Sequence, residues 1–82
     1  MYGACVSRSV HSSKYRKLRN LLSAARREAA LTQADVAARL KRPQSFVSKY
    51  ETGERHLDVI EFIDVCKALG VSPLDIVSLL TA

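Results

Sequence analysis

Apolar residues recur along most of this chain at three- and four-residue steps and nowhere at every second position. That period predicts helices and no strand. In the first third, Tyr15, Leu18, Leu21, Leu22, Ala25 and Ala29 form one buried stripe along a helix over 14–29, with Ser13 as its cap. Arg16, Lys17, Arg19, Arg26 and Arg27 occupy its other faces. Three later starts share one device. Thr32, Asp58 and Ser72 each stand three residues before an acidic residue (Asp35, Glu61, Asp75), and apolar pairs bracket each start: Leu31 with Val36, Leu57 with Phe62, Val71 with Ile76. This is the pattern of a capping box with a hydrophobic staple. Pro73 adds the residue favoured at a first helical position. These starts predict helices over 33–40, 59–69 and 73–80. Another short helix runs from Pro43 or Gln44 to Thr52, and Gly53 and Gly70 supply left-handed residues that end it and its successor. Residues 1–12 have no period and many small polar side chains, which predicts a flexible tail ahead of one domain over 13–82.

The helices over 33–40 and 44–52 are joined by a turn of three or four residues, so they form a helix-turn-helix, whose second member can lie in the DNA major groove. Val36, Ala37 and Leu40 face Val47 and Tyr50 across the pair, and Ala37 is small enough to let the helices cross closely. With Val47 and Tyr50 inward, Gln44, Ser45, Ser48 and Lys49 fall on the opposite face. Gln suits the N6/N7 edge of adenine, Lys the O6/N7 edge of guanine, and Ser either; the plain alternative is an ordinary solvated helix face. Thr52, Arg55 and His56 follow the helix and are expected to reach the DNA backbone, with a simple surface role as the alternative for His56. Lys41 and Arg42 add two cations in the turn, and N–H groups at the start of the 33–40 helix can meet the same phosphates.

From about residue 18 to 80 the chain resembles the Cro/C1-type (XRE) family of phage and bacterial regulators. The resemblance rests on Thr32-Gln33 opening the first motif helix, Ala37 within it, and Tyr50-Glu51-Thr52-Gly53-Glu54-Arg55 closing the second. It implies an all-α, compact five-helix, lambda-repressor-like DNA-binding domain. It also implies that Gln44, Ser45 and Lys49 read bases and that Gln33 braces the first of them while touching a phosphate. Arg26 and Glu51 would form a structural salt bridge between the first helix and the recognition helix. Lys41 departs from the pattern, standing where glycine is common; in a left-handed conformation it costs roughly 1 kcal/mol. Phe46 has two readings, a contact with a thymine methyl or a fold back over the preceding helix, and partial exposure on the DNA side is the expectation.

Composition sharpens this picture. The 82 residues are 48% hydrophobic and 26% charged, with a formal net charge of +5. Residues 1–31 hold seven Lys or Arg against Glu28 alone, whereas residues 58–82 hold Lys67 against Asp58, Glu61, Asp64 and Asp75. A polyanion is therefore expected on the first two-thirds of the chain, leaving the last third for protein contacts. Helices over 59–69 and 73–80 carry more apolar surface than a small monomer can cover. In the last helix, Leu74, Val77 and Leu80 form one stripe while Ile76 and Leu79 point away from it. This predicts a homodimer interface at Leu74, Ile76, Leu79 and Leu80, unless both stripes belong to the core.

Cys5 and Cys66 form no Cys-x-x-Cys pair, and His11 and His56 stand far apart, so no metal site or cofactor is expected. No apolar run approaches a membrane span or a signal core, which predicts a cytoplasmic protein. No phosphate loop or nucleophile elbow occurs, so an enzyme is not expected. The sequence thus reads as a transcriptional regulator, a repressor binding a two-fold operator in double-stranded DNA. Three other functions compete: an antitoxin that also holds a toxin, a restriction–modification controller, and an adaptor that bridges proteins without specific DNA binding.

Overall fold

The computed structural model describes residues 13–82, so the expected tail over 1–12 lies outside the described residues. Five helices follow: α1 (Ser13–Glu28), α2 (Gln33–Leu40), α3 (Gln44–Thr52), α4 (Val59–Leu69) and α5 (Pro73–Thr81), with no strand among the described residues. Two starts are closed by complete capping boxes. Thr32 Oγ1 accepts from Asp35 N at 3.0 Å while Asp35 Oδ2 accepts from Thr32 N at 2.8 Å. Asp58 and Glu61 repeat the exchange at 2.7 and 3.1 Å. At α5 the device is simpler: Ser72 Oγ accepts from Leu74 N at 3.2 Å, and Pro73 needs no partner.

The helix ends use a second shared device. After α1, Leu31 N donates to Arg26 O and Ala30 N to Arg27 O; after α2, Arg42 N donates to Ala37 O and Lys41 N to Ala38 O; after α4, Val71 N donates to Cys66 O and Gly70 N to Lys67 O. Each is a Schellman closure about a left-handed residue. Only one of the three uses glycine. Ala30 and Lys41 adopt φ of 58° and 57°, against 76° for Gly70.

Leu22, Val36, Val47, Tyr50, Val65 and Cys66 are the most fully buried side chains, so all helices but α5 meet at one centre, and Ile76 brings α5 to it. The α2–α3 contact is the most extensive, with Ala37 buried between the two. α1 crosses both α3 and α5, and α4 backs α2. The consequence for function is that α3 is supported from two sides, leaving a single face open.

Three expectations at the helix margins are corrected. Ser13 is already the first residue of α1 rather than a cap before it. Ala29 is exposed, because the closure about Ala30 ends the helix before that stripe position is reached. The phase of α5 also differs from the two-stripe reading: Ile76 is only 5% exposed and Leu80 is half-buried, while Leu74, Val77 and Leu79 face outward. The staple explains it. Val71 packs against the core before the cap, and its N4 partner must turn the same way. Ile76 is that partner, so it belongs to the core and not to a subunit interface.

Relieving a left-handed non-glycine residue tests the closure. Lys41→Gly is expected to stabilise the domain by up to about 1 kcal/mol, a rise of about 4–8 °C in a thermal melt for a domain of this size. An unchanged or lower Tm would show that Lys41 is not strained.

Candidate nucleic-acid interface

α3 turns Phe46, Val47 and Tyr50 into the core and leaves Gln44, Ser45 and Lys49 exposed, with Ser48 half-buried between them. The spacing follows from helical geometry: positions 46, 47 and 50 define the inner face, so 44, 45, 48 and 49 border the open side. Thr52 is exposed at the end of this face, its hydroxyl donating to Lys49 O at 3.2 Å. Lys41 and Lys49 are exposed and form no salt bridge among the described residues.

One carboxylate anchors the inner side. Glu51 Oε2 accepts from Arg26 Nε at 2.8 Å and Oε1 from Arg26 Nη2 at 3.2 Å, a two-point pair with side chains 14% and 8% exposed. Gln33 Nε2 donates to the same Oε1 at 3.0 Å, and Arg26 Nη1 donates to Leu31 O at 2.9 Å. Gln33 therefore faces Glu51 from the start of α2, and its hydrogen bond goes there rather than to Gln44. Arg19, two turns before Arg26 on α1, lies across the end of α3: Nη1 donates to Glu51 O at 3.4 Å, and a Cβ added at Gly53 would stand 2.9 Å from its Cζ. Gly53 is left-handed at φ 89°, a conformation that favours glycine, and the Arg19 guanidinium fills the space beside it. Sequence reasoning left Arg19 on a solvated face; its seven-residue spacing from Arg26 was the available signal, since that spacing puts both on one side of α1.

A second carboxylate organises the loop after α3. Arg55 donates to Glu61 through Nη1 at 2.9 Å and Nη2 at 2.7 Å, and Arg42 Nη2 lies 3.5 Å from Glu61 Oε2. Arg55 Nη1 also donates to His56 O at 3.0 Å. The expected partial exposure of Phe46 is overturned here. The ring is 7% exposed, with the Arg42 and Arg55 guanidiniums at 4.4 and 4.7 Å from its centroid and Tyr50 edge-on at 5.7 Å. Covering the ring removes apolar surface from water, and the two cations favour its face; a thymine methyl has no access to it. His56 packs against Tyr15 at 4.6 Å, and Tyr15 Oη accepts from Leu57 N at 3.0 Å, fastening the loop to α1.

Cys66 is buried, which pushes its thiol up to about 11. The Tyr50 hydroxyl is buried without a hydrogen-bond partner among the described residues, and desolvation holds its pKa well above the usual value. No three His, Cys, Asp or Glu side chains converge on a metal position among the described residues. No described helix is long and apolar enough to cross a membrane.

Known proteins share this fold. The helix-turn-helix family model matches residues 22–76. An uncharacterized HTH-type transcriptional regulator, y4dJ, of Sinorhizobium fredii (strain NBRC 101917 / NGR234) is 42% identical over 53 residues, spanning 65% of this chain and 69% of that protein. An XRE-family like protein from Pseudomonas syringae pv. tomato str. DC3000 superposes with a TM-score of 0.85 at 49% identity, covering 93% of each chain. A point mutant of the restriction-modification controller protein C.Esp1396I superposes with a TM-score of 0.78 at 26% identity, covering 85% of this chain and 89% of that one.

The Glu61 cluster predicts an acid response. Hydrogen bonds from Arg55, then the Asp58 N–H, hold the Glu61 carboxyl at about 2, below its ordinary 4.5. A depressed carboxyl stabilises the fold above its unfolded pKa, and that stability is lost as pH falls through the folded value. Urea melts from pH 5 down to 2 are therefore expected to lose more stability for the wild type than for Glu61→Gln. Parallel profiles would show that this carboxylate does not contribute.

Proposed function

We propose a function for this chain from the family it belongs to, the XRE-type helix-turn-helix transcriptional regulators: it binds a two-fold DNA operator as a homodimer and represses by occupying a promoter. The observation that carries the reading is the open face of α3. Gln44, Ser45, Ser48 and Lys49 line one side of a helix whose other side is locked into the core. Their donors and acceptors suit base edges in a major groove. Gln33, Lys41, Arg42, Thr52, Arg55 and His56 are the proposed backbone contacts.

A single helix-turn-helix engages few bases, and pairing on a two-fold site doubles the readout. The surface supports pairing. Leu74 is 79% exposed, Leu79 52%, Val59 70% and Ile60 67%. We assign Leu74 and Leu79 to the subunit interface with Leu80 at its edge. The likeness to C.Esp1396I favours, as a second reading, a restriction–modification controller using the same DNA surface; restriction and modification genes beside this one would mark it.

Operator sequences selected from a random DNA library provide the test. Gln44→Ala is expected to cost roughly 1–3 kcal/mol on the operator and little on random DNA. Lys41→Gly is expected to weaken both equally and to lower the salt slope by about one unit per subunit. Thermal melts showing Lys41→Gly folded separate that loss from unfolding. Equal losses on operator and random DNA for Gln44→Ala would remove α3 as the reading element.

Pairing has its own measurement. By sedimentation at tens of micromolar, about the range of a weak interface, the wild type is expected to be a dimer. Leu79→Asp is expected to be a folded monomer that binds operator poorly. A monomeric wild type under those conditions refutes the interface.

A further inference from the structure

The two arginines flanking α3 are already occupied by an anion of the protein's own. Arg55 presents the fork of its guanidinium to both oxygens of Glu61 at 2.9 and 2.7 Å, and Arg42 approaches the same carboxylate at 3.5 Å. A phosphate is grasped by this same planar, two-point geometry. We infer that Glu61 is a specificity-determining residue, an internal stand-in for DNA phosphate that restrains Arg42 and Arg55 from sequence-independent binding. The inference rests on the DNA-binding reading above.

Three features make Glu61 a fixed clamp rather than a passing surface contact. Its oxygen closes the capping box by accepting from Asp58 N at 3.1 Å, and its own N–H donates to Asp58 Oδ1 at 2.7 Å. Its side chain is 14% exposed, and swinging into solvent would strip the Asp58 N–H of its partner. The Phe46 ring packs against both guanidiniums, 4.4 and 4.7 Å from its centroid, and so restrains them beside the carboxylate. Yet the arginine side chains remain 45% and 37% exposed, within reach of a ligand.

The effect is electrostatic. Two arginines and one carboxylate present a single net positive charge where two would otherwise meet DNA. A random duplex offers phosphates alone, so capturing both arginines requires breaking the pair and stranding Glu61. A matched operator adds base contacts through α3, which hold the protein in place while phosphate replaces the carboxylate. The clamp therefore lowers random binding more than operator binding.

Glu61→Gln isolates the charge, since Gln also serves at this position of a capping box. Binding to random duplex at 50 mM and 200 mM salt is expected to be several-fold tighter at the lower salt than for the wild type, with a slope steeper by about one unit per subunit. The operator-to-random ratio falls. Adding Arg55→Ala to Glu61→Gln is expected to remove most of the gain. Asp64→Asn measures plain charge removal: Asp64 lies one turn further along α4, lines with Glu61, Arg42 and Phe46 an open cavity of about 380 Å³, and forms no salt bridge among the described residues. Glu61→Asp keeps the charge but shortens the reach, and Asp35 shows that Asp can close such a box; it is expected to raise random binding too, and carries the test if thermal melts show Glu61→Gln unfolded. The inference is overturned if Glu61→Gln and Asp64→Asn act equally, if Glu61→Asp behaves as the wild type, or if the gain survives Arg55→Ala. A wild type that binds no duplex even at 50 mM salt overturns the DNA-binding reading itself, and the clamp with it.

Discussion

Glu51 sits in the last turn of α3 with only 8% of its side chain exposed, where Arg26 meets both oxygens and Gln33 shares one. The remaining fork of Arg26 reaches Leu31 O, so one ion pair ties α1, the entry to α2 and α3 together. α3 has nine residues, too few to hold a fixed orientation by its own hydrogen bonds. Its direction relative to the rest of the molecule depends on this cluster and on the Val47 and Tyr50 contacts beneath it. Removing either partner would leave a nearly buried charge unpaired, which is far more costly than losing a surface pair.

The two carboxylates around α3 do different work because their surroundings differ. Glu51 pairs with a guanidinium that is itself only 14% exposed, so water and ligands have little access and the pair behaves as structure. Glu61 pairs with arginines that are open to solvent, so the same chemistry is exchangeable there. Arg19, lying over Gly53, adds a cation at the carbonyl end of α3, where the helix dipole favours it. α3 is thus held rigidly from behind and by solvent-open ion pairs at its rim.

Much of the fold was legible because its signals are local. Thr32, Asp58 and Ser72 announce their helices through hydrogen bonds that span two or three residues, and the structure contains all three. The inward pair Val47 and Tyr50 fixed which face of α3 lies open. What escaped the sequence was non-local or chosen between near-equal alternatives. Nothing near Phe46 in the chain shows that Arg55, nine residues later, covers its ring. Ala30 gives no warning of a left-handed backbone, since its conformation is imposed by the closure between α1 and α2. In α5 five apolar residues competed for the core, and counting stripes could not choose among them; the staple to Val71 did. Arg39, which donates to Ala68 O at 2.9 Å and so ties α2 to the end of α4, left no pattern at all.

The buried thiol of Cys66 has a use that its inertness creates. At 0% exposure and with its ionisation suppressed, it is shielded twice from any thiol reagent. It lies in α4 at the centre where the helices meet, so it becomes accessible only when that centre parts. In a variant with Cys5 replaced, the rate of labelling at Cys66 would time those openings directly. The chain carries its own clock for how often α3 loses its support.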